Sequence, residues 1–247
     1  MPKLFVVSDV HGFYDEMKAA LDKAGFDENN PEHWLISAGD EWDRGPKPKE
    51  VMKYLYNLPR KILIRGNHME LFETLCERGY PLYHDAHNKT DATVALLGDY
   101  KLDHEFDLCC KRALRKTQKY RDSMVNYFQT RNYIFCHSFL PLIDTPDGQI
   151  LNPNWRNATQ EEWNKAMWGN PYQLAAKGLL PPNKTLVFGH FHTSWPRAHY
   201  EGKPEWGEGV DFSVYYGNGY IAIDACTAYS GKVNVLVLKD DFLEEQT

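Results

Sequence analysis

Two residue pairs, Asp9 with His11 and His190 with His192, frame this sequence, and Asp40, Asn67 and His137 lie between them. Carboxylates, imidazoles and an amide oxygen are the donors that hold two hard or borderline divalent cations with one ligand shared between the ions. Asp9 and His11 stand two apart on a tight loop, so both can reach one ion. Asp40 follows Gly39 and could bridge two ions, while Asn67 offers a neutral oxygen and His137 one imidazole. His190 and His192, again two apart, would point the same way from an extended segment. Taken singly, each has an ordinary explanation. An Asp-x-His pair arises by chance, Asn67 after Gly66 suits a turn, and a lone histidine is mostly a hydrogen-bonded core or surface group. Only the ordered set is specific. Its chemistry would be that of two cations, which lower the pKa of a bound water from ~15.7 toward ~7.

Such chemistry requires the residues to meet in space, and the segments preceding them show how. Leu4–Val7 runs into Ser8-Asp9-Val10-His11-Gly12, and Trp34–Ile36 runs into Ser37-Ala38-Gly39-Asp40. Ile62–Ile64 runs into Arg65-Gly66-Asn67-His68, Tyr133–Cys136 into His137-Ser138, and Leu186–Phe188 into Gly189-His190-Phe191-His192. Short, near-continuous β-branched and aromatic runs read as strands buried on both faces. Loops at strand ends of an α/β sheet gather on one side. Two further apolar runs follow, Tyr220–Ile223 and Val233–Leu238. Helical spacing is seen over Asp15–Ala24 with Gly25 as C-cap, Pro48–Leu58, and Met69–Arg78 with Gly79 after it. Thr159 and Glu162 form a capping box ahead of Trp163 and Met167. The stretch to Asn132, from Thr90 or a little earlier, reads as a helical insertion of two helices, at about 84–132. Its basic run Lys111–Arg121 reads as a solvated helix face, with a rim that attracts phosphorylated substrates as the sharper alternative. Asp144–Asn183, rich in Pro, Asn and Trp, reads as a long loop region over the site.

The bulk properties exclude several classes. The 247 residues, 43% hydrophobic and 25% charged, can bury a full core. A formal net charge of -6 argues against a protein that holds long nucleic acid, since that needs a basic face. Five cysteines without C-x-x-C spacing argue against both a disulfide framework and a thiolate zinc site. No leader-like or membrane-spanning apolar run is present. The expectation is a soluble, cytoplasmic protein. Cys136 and Ser138 beside His137 suggest no nucleophilic pair, for no third member is evident.

Asp9-Val10-His11-Gly12, Gly39-Asp40-Glu41-Trp42-Asp43-Arg44-Gly45, Arg65-Gly66-Asn67-His68, the lone His137 and Gly189-His190-Phe191-His192 resemble the ordered signature of calcineurin-like metallophosphoesterases. The Asp43-Arg44-Gly45 extension resembles the serine/threonine protein phosphatase branch, which includes diadenosine tetraphosphatases. Ile221-Ala222-Ile223-Asp224-Ala225 resembles the closing strands of that branch. The resemblance implies a single α/β domain over 1–247, two stacked mixed β-sheets flanked by helices in four α-β-β-α layers. It implies that Asp9, His11 and Asp40, with His192 added, hold one metal, and that Asp40, Asn67, His137 and His190 hold the other. Arg44 would grip the phosphate, and His68, oriented by Asp43, would be the general acid. A metal-bridging hydroxide would attack phosphorus.

The donor set suits Mn, Fe, Zn, Co or Ni, with Mn the first choice. The expected substrate is a phosphate monoester, on a phosphoprotein or a small molecule. The alternatives are diadenosine tetraphosphate or another nucleoside polyphosphate, a phosphodiester (suggested by the Gly-His-x-His form), and a binding module without turnover. Three departures from the branch stand out. Met69 intervenes before Glu70, where the branch has Glu directly after Asn-His. Trp168-Gly169-Asn170 stands where a second phosphate-gripping arginine is expected, with Arg131 and Arg156 as candidates to replace it. The final Gly-His-x-His form is commoner in other branches of the family.

Overall fold

The apolar runs form strands that stop where the polar clusters begin. In the computed structural model, which describes residues 1–100 and 105–242, four strands make a first sheet. They are β1 (Lys3–Val7), β2 (His33–Ser37), β3 (Lys61–Leu63) and β11 (Leu236–Lys239), in the order β11-β1-β2-β3. β1, β2 and β3 run parallel and β11 antiparallel. A second sheet has the order β4-β5-β8-β10-β9, from β4 (Tyr127–Gln129), β5 (Tyr133–Cys136), β8 (Thr185–Phe188), β9 (Tyr215–Gly217) and β10 (Tyr220–Ala222). Its central strands β5, β8 and β10 are parallel, so their C-terminal ends lie on one side. β6 (Leu142–Thr145) and β7 (Gly148–Leu151) form a separate hairpin.

Alternation along each strand divides the core into three. Leu4, Val6, Ile36 and Ile64 face Phe135, Val187, Ile221 and Ile223 in the layer between the sheets. Phe5, Val7 and Leu35 point the other way, onto α1 (Tyr14–Ala24), α2 (Pro48–Asn57) and α3 (Asn67–Arg78). Ile134, Leu186 and Phe188 cover the opposite outer face, with Trp163, Met167 and Tyr172. The result is the expected four-layer order of helices, sheet, sheet and helices. Gly25 and Gly79 end α1 and α3 in left-handed backbone, as read from the sequence. None of the described helices is long and apolar enough to cross a membrane. All five thiols are free.

Two regions differ from the expectation. The insertion holds three described helices rather than two: α4 (Tyr83–Asn88), α5 (Thr90–Leu97) and α6 (Phe106–Asp122). Residues 101–104 of it lie outside the described residues. Its last part joins the second sheet as β4, an edge strand antiparallel to β5. Aromatic Tyr127 and Phe128 satisfy a strand as well as a helix, and pairing decides. The region 144–183 is not a loop but holds the β6–β7 hairpin, α7 (Gln160–Met167) and α8 (Pro171–Ala176). Asn170, read as a loop former, instead caps α8: its Oδ1 accepts from the amides of Tyr172 and Gln173 at 3.1 and 3.2 Å, and Pro171 occupies the first helical position. The remaining helices are α9 (Ser194–Glu201) and α10 (Thr227–Ser230). The basic run on α6 is largely paired, Lys111 with Asp107 at 2.6 Å, Arg121 with Glu73 at 2.7 Å and Lys116 with Asp99, which favours the solvated-face reading.

Candidate metal centre

The ends of β1, β2 and β8 deliver their polar residues through strained backbone. Asp9, His11, Asp40, Asp43, Arg44 and His190 all adopt left-handed φ, between 49° and 71°, six of the ten non-glycine residues that do so among those described. Each such residue costs roughly 1–3 kcal/mol and persists only where its surroundings over-determine it. Here the surroundings are reciprocal loop contacts. The amides of Asp9, His11 and Gly12 donate to the carbonyls of Gly39, Asp40 and Glu41 at 3.0, 2.9 and 2.7 Å, and Gly189 N–H donates to His137 O at 2.8 Å. Gly66 and Gly189 allow the close approach, because a Cβ at either would overlap the Asp40 or the Asp9 carboxylate respectively.

Asp40 is the centre of the arrangement. Its Oδ1 accepts from His68 N–H at 3.0 Å, and its Oδ2 lies 3.4, 3.8 and 4.0 Å from the Nε2 atoms of His137, His68 and His11. Burial would push its carboxyl up, but His137, His68 and His11 together hold it well below the usual carboxylate range. Asp9 is also buried, and its Oδ2 accepts from Ser8 Oγ at 2.5 Å and His190 N–H at 2.9 Å. Burial raises its carboxyl, partly opposed by His137. Asn67, on the first turn of α3, turns Oδ1 toward His137 Nε2 at 2.9 Å and His190 Nδ1 at 3.0 Å.

These residues fit two divalent cations sharing Asp40. Ligand atoms of Asp40, His137 and His190 lie within 4.8 Å of one another, as do those of Asp40, His11 and His68. His11 Nδ1 donates to Trp42 O at 2.8 Å and His137 Nδ1 donates to Ala38 O at 2.9 Å, which leaves each Nε2 aimed at the centre, as ligating imidazoles are held. Burial lowers His137, yet Asp40 more than compensates and raises it to about 9. Arg44 Nη1 donates to His11 Nε2 at 3.0 Å. Burial and, after it, Arg44 keep His11 well below its ordinary value, and burial with His137 lowers His190 to about 3, so both rings are neutral donors.

His68 and Asp43 pair as expected, with Nδ1 2.6 Å from Asp43 Oδ2. Arg44 Nη2 donates to His68 Nε2 at 3.2 Å, so one guanidinium fork spans His11 and His68. His68 also falls within the first group of ligand atoms, a position its proposed role as acid does not use. His192 is in neither group of ligand atoms. Its Nδ1 shares a hydrogen bond with Ser194 Oγ at 2.8 Å, its Nε2 is 3.6 Å from Glu205, and its ring centroid is 4.5 Å from that of Trp206. Arg131 and Arg156 line a different cavity, beside Pro181 and Lys184. Arg44 is therefore the arginine at the site.

Three contributors were not singled out from sequence. Asp224 follows β10 and is buried, and its carboxyl is pushed well up by burial and by Asp9. Its signal was available, since an apolar run ends at it as at the other strand ends. From the insertion, Thr90 Oγ1 donates to Asp43 Oδ2 at 2.6 Å, and Asp43 N–H donates to Thr93 Oγ1 at 3.1 Å. Nothing in the local sequence signals that contact. The pocket over the centre has a volume of about 150 Å³, and Leu71, Asn88 and Trp168 complete its lining.

Two buried groups of candidate ligand atoms that share Asp40, beside an arginine and an imidazole–carboxylate pair, thus stand at the strand ends of two stacked sheets. The chain belongs to the calcineurin-like phosphoesterase family, whose profile matches residues 2–215. It is similar to the symmetrical bis(5'-nucleosyl)-tetraphosphatase of Buchnera aphidicola (subsp. Acyrthosiphon pisum, strain Tuc7), 40% identical over 65 residues, which are 26% of this chain and 23% of the relative. It is similar to the asymmetrical enzyme of Bacillus velezensis, 42% identical over 72 residues, 26% of this chain and 29% of that one. These matches thus span under a third of each relative. A solved structure provisionally described as a diadenosine tetraphosphatase aligns over 99% of this chain and 97% of its own, with TM-score 0.55 and 15% identity. A cold-active protein-tyrosine phosphatase from a psychrophilic Shewanella aligns over 97% of this chain and 76% of its own, with TM-score 0.52 and 17% identity. At these identities the likeness concerns the fold.

Proposed function

We propose that the chain is a divalent-metal-dependent hydrolase that transfers a phosphoryl group from a phosphate ester to water. One observation carries the reading: Asp40 is shared between two groups of ligand atoms, directly beside Arg44 and the His68–Asp43 pair. Asp9, His11 and Asp40 would hold one ion, and Asp40, Asn67, His137 and His190 the other. When bound, two such ions supply positive charge to the phosphoryl oxygens and acidify the attacking water. Manganese is the ion proposed for assay.

The chain's own residues then divide the work. Arg44 turns its planar fork from His11 and His68 to two phosphoryl oxygens. The bond from phosphorus to the leaving oxygen breaks as the water oxygen bonds to phosphorus. His68 Nε2 gives its proton to the leaving oxygen, while Asp43 stabilises the charged ring and Thr90 holds Asp43. In the resting geometry His68 Nε2 accepts from Arg44, so the acid role requires Arg44 to move and Nε2 to be protonated. Burial excludes bulk water from the Asp9, Asp40 and His137 side chains. His192 would be an added ligand of the first ion, for which its Nε2, 3.6 Å from Glu205, would have to turn.

A monoester fits the small pocket, which holds one phosphoryl group. A nucleoside polyphosphate is the second reading, supported by the tetraphosphatase names of the relatives. Steady-state hydrolysis with Mn²⁺ of para-nitrophenyl phosphate, its bis ester, a phosphoserine peptide and diadenosine tetraphosphate tests both. Turnover of at least one, abolished in Asp40→Asn, is the expected result. No turnover of any while metal is bound would overturn the hydrolase reading.

A further inference from the structure

We infer that Trp168 determines specificity, its indole serving as a stacking platform for a planar ring, a nucleobase, on the leaving side of the phosphate. The inference rests on the phosphoesterase reading of the site beneath it. A pocket of about 150 Å³ is well below the ~300 Å³ at which sites for larger ligands begin, so it admits the reacting phosphoryl group and leaves the rest of the substrate at the rim. Arg44 is the one arginine or lysine lining the pocket among the described residues, and Trp168, Leu71 and Asn88 are its other non-ligand walls.

Trp168 is held as a platform needs to be. It caps the C-terminus of α7, its N–H donating to Lys165 O at 3.3 Å. Its Nε1 donates to Glu70 Oε2 at 2.8 Å, and the other oxygen of Glu70 accepts from Asn164 Nδ2 at 3.2 Å. The following carbonyl, that of Gly169, accepts from Ser138 Oγ at 2.7 Å, which ties this segment to the strand end that bears His137. The indole stands edge-to-face with His190, centroids 6.5 Å apart at 88°. Yet Trp168 remains 47% exposed. A large ring with its polar edge satisfied and its orientation set, but its surface in water beside the reacting centre, has little ordering entropy left to lose on stacking. The intervening Met69 explains why Glu70 is available: Met69 is buried in the layer between the first sheet and its helices, and Glu70, one position further round α3, faces α7.

The test compares substrates that share a scissile bond: adenosine 5'-monophosphate against ribose 5-phosphate, which differ in the base, and ATP against inorganic tripolyphosphate, which differ in the whole nucleoside. In the Mn²⁺-loaded wild type the nucleotide of each pair should have the higher kcat/KM. Trp168→Ala should lower that ratio by about 5- to 100-fold, chiefly through KM, and Trp168→Phe should retain most of it. An equal loss on both members of a pair would make Trp168 a structural residue and overturn the inference. So would dependence on Trp168 confined to a phosphopeptide with an aromatic neighbour. Calorimetric binding of adenosine 5'-monophosphate and ribose 5-phosphate to both proteins separates the two readings. If nothing is turned over but the base-dependent difference in affinity is present and lost in Trp168→Ala, the hydrolase reading fails and the platform stands. If no base-dependent difference exists, the platform fails whatever the turnover.

Discussion

At the floor of the pocket, Asp9, His11, Asp40 and His190 sit on strand ends in left-handed backbone, buried or nearly so, and held by amide–carbonyl contacts between loops. At its rim, Glu70, Asn88 and Trp168 stand on or beside helices, and Glu70 and Trp168 are positioned by side-chain hydrogen bonds near solvent. The floor therefore stores strain and depends on many partners at once, whereas each rim residue depends on one or two. Changes at the floor should act as all-or-none losses of the centre. Changes at the rim should act in proportion to the single contact removed. The Asp43–His68–Thr90 chain lies between, buried like the floor but supplied in part by the helical insertion.

The contrast can be broken experimentally. The largest effect is expected from Asp40→Asn, which removes the shared charge: metal content by mass spectrometry should fall at both sites and turnover should reach background. Retention of two ions would show that the two groups do not share a ligand. His68→Asn should keep the ions and cost ~10²–10⁴ in rate, more for esters with poor leaving groups. Metal loss in that variant would place His68 among the ligands, as its position in the first group also allows. Thr90→Val removes a hydrogen bond to a carboxylate, a contact that contributes roughly 1.5–3 kcal/mol. About a tenfold or larger drop in kcat, with KM kept and with rescue by Thr90→Ser, would show the insertion positioning Asp43. An unchanged kcat would confine the insertion to a structural part. Thr159→Ala should cost about 1 kcal/mol of stability by denaturant titration, since it removes the Oγ1 that accepts from Glu162 N–H at 3.3 Å in the capping box. Its effect on activity should be the smallest, because α7 is also anchored by buried Trp163 and Met167.

The strands that bear the site residues, the first three helices and the glycine caps of α1 and α3 were legible because apolar runs and periodic faces are local signals. Within 144–183 the capping box of Thr159 and Glu162 marked the start of α7, but the hairpin and α8 were misread as loop, since Asn and Pro mark loops and helix starts alike and only the packing of Tyr172 against the second sheet selects α8. The end of the insertion was misread for a similar reason. Tyr127–Gln129 pairs with a strand that follows it, and an edge pairing has no pattern of its own.

The sequence by itself determined which residues could do chemistry, because donor type and spacing are properties of the chain. It also placed them on strand ends, because a buried strand must be apolar and must stop where a polar cluster begins. Only the tertiary structure decided which of them meet. It gathered Asp40, His11, His68, His137 and His190, turned His192 toward Glu205 and Ser194, and brought Asp224, Thr90 and Trp168 to the site from distant segments. The physical reason is range. A side chain's chemistry is written in its own residue, whereas its direction depends on backbone angles and neighbours contributed by segments far away in the chain.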